Sequence, residues 1–153
     1  MTRDVLVTIS GLLWDILEGG EELENEPIEI ITPANYFFKN ETHYVLYDEV
    51  AEGIPGITKN TIKITGNQKL EIIKRGVTTS HMTFETGEKS LTDYKTPFGT
   101  LLVGVTTKTL SLDIQEDIIA IYVEYVLDMN QTAMADCTIR MSIKSKNADT
   151  RIF

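Results

Sequence analysis

Apolar and polar residues alternate at every second position over most of this chain. Ala135, Cys137, Ile139, Met141 and Ile143 share one face, and Asp136, Thr138, Arg140, Ser142 and Lys144 share the other. That is the pattern of a half-buried antiparallel strand with one solvated face. Ile119, Ile121, Val123, Tyr125, Leu127 and Met129 form a second such face, opposed in part by Glu124 and Asp128. Leu101, Val103 and Val105 also alternate, and then the apolar phase passes to Leu110 and Leu112. A phase switch inside one long strand predicts a bulge or a sharp bend.

Similar runs occupy 4–16, 27–39, 42–49, 59–66, 69–76, 79–86 and 89–96. Turn residues separate them: Gly19-Gly20, Asn40, Gly53 to Gly56, Gly66-Asn67 and Gly87. Gly66-Asn67 carries the signal of a two-residue hairpin. No stretch shows a sustained helical period with caps. The pattern predicts an all-β protein, one domain over 1–153, with eight to ten strands in an up-and-down antiparallel meander. A meander of that length leaves two exposed edges unless it closes, so a closed or nearly closed β-barrel is expected. Gly11 and Gly104 are expected to let tightly coiled strands bend.

Composition adds limits. Hydrophobic residues make up 42% and charged residues 24%, as in an ordinary soluble domain. The net charge is −9, with 14 Lys and Arg against 23 Asp and Glu. Nucleic acid and anionic membranes are bound mainly through clustered Lys and Arg, so neither is an expected partner. A cationic partner or a neutral small ligand is compatible with this charge. Cys137 is the sole cysteine, so no internal disulfide forms. The N-terminal apolar stretch is broken by Thr8, Ser10 and Asp15, which argues against a signal peptide and for a cytoplasmic protein. The acidic segment EGGEELENE, 18–26, reads as a solvated loop. It lacks the ligand spacing of a calcium-binding loop.

Catalytic constellations are missing from the pattern. Cys137 falls on the apolar face of its strand, the place of an inert buried thiol. His81 groups with Thr83 and Glu85 on a polar face. His43, His81 and Cys137 are too scattered for a zinc site. No nucleotide or cofactor fingerprint occurs, so neither a metal nor a cofactor is expected, and catalysis is the weaker expectation. A binding role has more support, since a barrel of this size either fills with side chains or holds one small ligand. Tyr36, Tyr44, Tyr47 and Tyr94 supply rings with hydroxyls. Arg75 shares the strand phase of Ile73 and is expected to point into the barrel. Tyr36, Tyr44, Arg75 and Tyr94 are therefore the candidate ligand lining, for a partly apolar small molecule. The alternative is structural: tyrosines are good strand formers, and Arg75 could close the barrel end in an ion pair. An interaction module, as a homodimer using Ile118, Ala120, Tyr122 and Val126, is the competing function.

The stretch YKTPFG, 94–99, places Thr96, Pro97, Phe98 and Gly99 at a strand junction. It is expected to form a barrel corner in which Phe98 plugs one end. Arg75-Gly76, Phe84 with Gly87, and Tyr94 through Gly99, together with FFKNETHYVLYDEV and GIPGITKNTIKI, resemble in order and spacing the YwiB-like proteins, the DUF1934 family. The resemblance implies a calycin, or lipocalin-like, β-barrel. It carries no assigned catalytic or binding residues.

Overall fold

The computed structural model describes residues 1–11, 29–50 and 53–146. The acidic segment 18–26 lies outside them, as does the end of the predicted run 4–16. Ten antiparallel strands are present: β1 (Asp4–Ser10), β2 (Glu29–Lys39), β3 (Thr42–Glu49), β4 (Thr58–Thr65), β5 (Lys69–Gly76), β6 (Ser80–Phe84), β7 (Lys89–Thr96), β8 (Gly99–Ile114), β9 (Ile118–Met129) and β10 (Thr132–Ser145). They form one sheet in the order β6-β5-β4-β3-β2-β1-β10-β9-β8-β7. The sheet coils into a nearly closed up-and-down barrel.

Its edges meet at a seam between β6 and β7. One backbone bridge crosses there, with Thr79 and Lys95 exchanging N–H···O bonds of 2.9 and 2.8 Å. Beyond it the His81 amide donates to the Thr92 hydroxyl at 3.1 Å, and the Glu85 amide donates to the Thr107 hydroxyl. Side chains thus replace a ladder that has splayed apart.

Local sequence explains the turns. β2 to β3 and β9 to β10 are joined by two residues each, Asn40-Glu41 and Asn130-Gln131, all four with positive φ. That is the turn whose twist matches paired strands, and asparagine tolerates it well. The β4–β5 connection has three residues, Gly66 to Gln68, because Thr65 pairs with Lys69. The expected two-residue turn is therefore one residue longer.

The predicted phase switch in β8 is a bulge. Its pairing with β9 slips between Thr107 and Thr109, so Lys108 is the extra residue. Val103, Val105 and Thr107 face inward before it, and Leu110, Leu112 and Ile114 after it. The two expected bend glycines have other duties. Gly11 follows β1 at φ +82°, where a Cβ would overlap the Thr138 carbonyl. Gly104 has no such φ; it makes room for the Asp128 carboxylate lying over it.

Inward side chains fill the barrel in register rows. Val45, Ile62, Ile72 and Met82 pair across β3 to β6, and Ile64, Leu70 and Phe84 form the next row. All seven are at most 2% exposed. Phe84 meets Tyr125 edge-on at 5.2 Å. Burying each of these large apolar side chains contributes about 1.5–3 kcal/mol.

Candidate functional site

One inward row differs from its neighbours. Tyr47 pairs with Asn60, Asn60 with Lys74, and Lys74 with Ser80, so four polar or amphipathic side chains cross β3 to β6 in a line. Tyr94, buried and inward on β7, precedes the seam bridge residue Lys95 as Ser80 follows Thr79, which extends the row across the seam. Asn60 is 1% exposed, Lys74 3% and Ser80 4%. A buried ammonium needs an anion and further hydrogen bonds. Lys74 finds both: its Nζ donates to Glu49 Oε1 at 2.9 Å and to Asn60 Oδ1 at 3.0 Å. The Asn60 amide donates in turn to the same Glu49 oxygen at 3.2 Å and to the Thr58 carbonyl. Ser80 Oγ has no hydrogen-bond partner among the described residues. Burial, and after it the charge of Glu49, pushes the Tyr47 phenol far above its ordinary value, so it stays neutral.

This row reaches the surface between β2 and β3. β2 pairs with β3 only from Asn35 to Lys39, and Asn35↔Leu46 is the last pair of that ladder. The Tyr36 amide donates toward β1, to the Arg3 carbonyl. Odd residues of β2 therefore turn their amides toward β3, since backbone groups alternate sides along a strand. Pro33 has no amide to give. The ladder stops there, and the strands part around a cleft of about 510 Å³. Pro33 and Ala34 form one wall, and Tyr47 and Asn60 lie at its inner side. Its charged residues are Asp4, Asp48, Lys59 and Lys146. Lys59 and Asp48 pair with each other at 3.3 Å.

The four residues expected to line a ligand site are not gathered together. Tyr94 lies in the polar row. Tyr36 faces inward one row away, its hydroxyl 2.7 Å from His43 Nδ1. Tyr44 is on the outer wall, stacked on Phe37 at 4.7 Å with Lys63 over its ring. Arg75 is exposed and points outward. The inward phase of β5 is Leu70, Ile72 and Lys74, so the buried cation is the residue before the expected one. Ile72 and Ile73 are both buried, and alternation started on the wrong one of them. Pairing of Ile72 with Ile62 and Met82 fixes the phase. A signal was present in Asn60, Ile62 and Ile64, whose alternation places a polar residue inward on the neighbouring strand.

The expected corner at 94–99 is the β7–β8 hairpin. Thr96 pairs with Gly99, leaving Pro97 and Phe98 as its two loop residues. The Thr96 hydroxyl accepts from the Phe98 amide at 3.1 Å and donates to the Gly99 carbonyl at 3.0 Å. Phe98 is 88% exposed. It is no plug, because a hairpin tip projects beyond the barrel wall.

Cys137 faces the core beside Tyr125, and burial raises its thiol pKa. His81 lies on the outer wall, 2.7 Å from Glu71. No group of three or more metal-ligating side chains occurs among the described residues. No helix there is long and apolar enough to cross a membrane.

A family model described as a domain of unknown function, DUF1934, matches residues 15–141. The chain belongs to the DUF1934 family. Its fold is similar to that of the ywiB protein from Bacillus subtilis, known from a crystal structure. The TM-score is 0.73 at 20% sequence identity, covering 94% of this chain and 92% of that one. No curated protein matches the chain significantly.

Proposed function

We propose that this DUF1934 protein binds a small, partly apolar molecule in the cleft between β2 and β3 rather than in the centre of the barrel. The supporting observation is that this cleft, about 510 Å³, ends on the buried polar residues Tyr47 and Asn60. Volumes of this size suit one small ligand. Apolar contacts would come from Pro33, Ala34 and Leu46, and orientation from the Tyr47 hydroxyl and the open lone pair of Asn60 Oδ1. Tyr36, Tyr44 and Arg75 have no part in this reading. Tyr94 enters it only as the far member of the polar row. Native mass spectrometry of protein isolated from its own host tests the proposal. A bound molecule that is retained by the native chain and lost from Tyr47→Phe and Asn60→Ala supports it. A ligand-free spectrum, or retention by both variants, counts against it.

The side-chain-filled barrel centre favours a second reading, an interaction module working as a homodimer. The outer face of β9, with Ile118, Ala120, Tyr122 and Val126, would then be its surface. Solution mass by light scattering decides, and a monomer at all concentrations removes this reading.

A further inference from the structure

The charge balance of the cleft narrows what it can hold. Lys74 is the buried cation nearest the cleft floor, and Glu49 already neutralises it at 2.9 Å. Asn60 ties the two together through one bond to each. An arriving carboxylate or phosphate would have to compete with Glu49 and leave that carboxylate unpaired. An arriving ammonium would compete with Lys74 for the same oxygen. An ammonium that displaced Lys74 would strand a cation only 3% exposed, and an anion that displaced Glu49 would break a 2.9 Å ion pair and leave a carboxylate with only partial access to water. At the rim, Asp48 and Lys59 pair, and the other two charged residues, Asp4 and Lys146, are of opposite sign. The whole chain, at −9, also repels anions as they approach. The remaining hydrogen-bonding capacity is neutral: the phenol of Tyr47, the side-chain amide of Asn35, and one lone pair of Asn60 Oδ1, whose two N–H groups already go to Glu49 and Thr58.

We infer that the cleft selects ligands with an uncharged hydrogen-bonding head, such as an amide, alcohol or ketone, on an apolar body, and that the Glu49–Lys74 pair enforces this selection. The inference rests on the cleft being the binding site. It makes the ion pair a determinant of specificity that touches the ligand only through Asn60. Removing either partner should create a preference for the matching charge.

Three probes of nearly equal shape test it: phenylacetamide, phenylacetate and 2-phenylethylammonium, titrated into 15N-labelled protein and followed by NMR. Phenylacetamide should perturb the Tyr47 backbone and Asn60 side-chain amides, binding about tenfold tighter than either charged probe. Glu49→Gln should bring phenylacetate to at least the affinity of the amide, and Lys74→Met should do the same for the ammonium. Wild-type protein that prefers a charged probe at these resonances overturns the selection rule while leaving the cleft as the site. A cleft untouched by all three probes overturns the site and the rule with it. The wild-type ranking decides the matter alone if either variant fails to fold.

Discussion

Asp128 on β9 lies over Gly104 on β8, so close that a Cβ at position 104 would overlap its carboxylate. The two form a register pair on the outer wall. Lys89 holds the carboxylate from β7 at 3.1 Å. Glycine here serves close approach rather than unusual φ. Gly104→Ala should cost about 1–3 kcal/mol, the range for forcing extra atoms into a fitted site. Urea denaturation measures it. In combination with Asp128→Ala the cost should shrink, because the overlapping group is gone. Simple additivity of the two substitutions would show that the overlap is not the cause.

Breaking the buried ion pair should be asymmetric. Glu49→Gln leaves the ammonium of Lys74 buried without its anion, which should cost about 3 kcal/mol. Lys74→Met removes the buried charge in a side chain of similar shape. It leaves a carboxylate that is 30% exposed and can turn to water. The loss for Lys74→Met should therefore be the smaller of the two, read from denaturation midpoints at constant m-value. The reverse order would contradict the account of the row.

Phe98→Ala should change stability by less than about 0.5 kcal/mol, as for an exposed site away from special contacts. The ring is 88% exposed at a hairpin tip. Thr96→Ala should cost more, since its hydroxyl makes two bonds within that turn. Equal effects in thermal unfolding would argue that the turn is not held by Thr96.

His43 gives the pH dependence a sign. Burial, and after it the positive chain terminus, holds its pKa below the ordinary 6.5. The Tyr36 hydroxyl, 2.7 Å from Nδ1, suits a neutral ring whose Nδ1 accepts the phenol's hydrogen bond. Below pH 6.5 the unfolded chain takes up the proton first, so stability falls with pH until the folded pKa is passed. Above 6.5 this residue contributes no slope. The stability difference between wild type and His43→Gln should therefore vary only on the acid side. An NMR titration midpoint for His43 above 6.5 would reverse the sign.

These sites show what a sequence of this type discloses. The bulge at Lys108 was legible because Leu101–Val105 and Leu110–Leu112 are long enough to show both phases. The inward face of β10 was legible for the same reason. Lys74 was not, because adjacent Ile72 and Ile73 hide the phase of a short strand. The polar row was hidden more deeply. Tyr47, Asn60, Lys74 and Ser80 become neighbours only through register, which turn lengths set and alternation does not report. The cleft depends on Pro33, whose missing amide matters only once it is known to face β3. Phe98 misled because an aromatic beside proline reads equally well as a core plug or as a hairpin tip.

The barrel does not open between β1 and β10. β1 and β10 are paired, with Val5 opposite Ser145 and the Thr2 amide donating to the Ser145 hydroxyl at 3.0 Å. The break lies between β6 and β7, which the connection 85–88 spans. Read from β7 through β10 to β1 and on to β6, the sheet is a plain sequential meander. A circular permutant that joins Ser145 to Thr2 through a short linker and starts at Gly87 would follow that order from edge to edge. Such a chain should fold, since no ladder of the sheet is cut. The seam thus separates two strands that are adjacent in the chain, while β1 and β10 lie paired in the interior of the sheet.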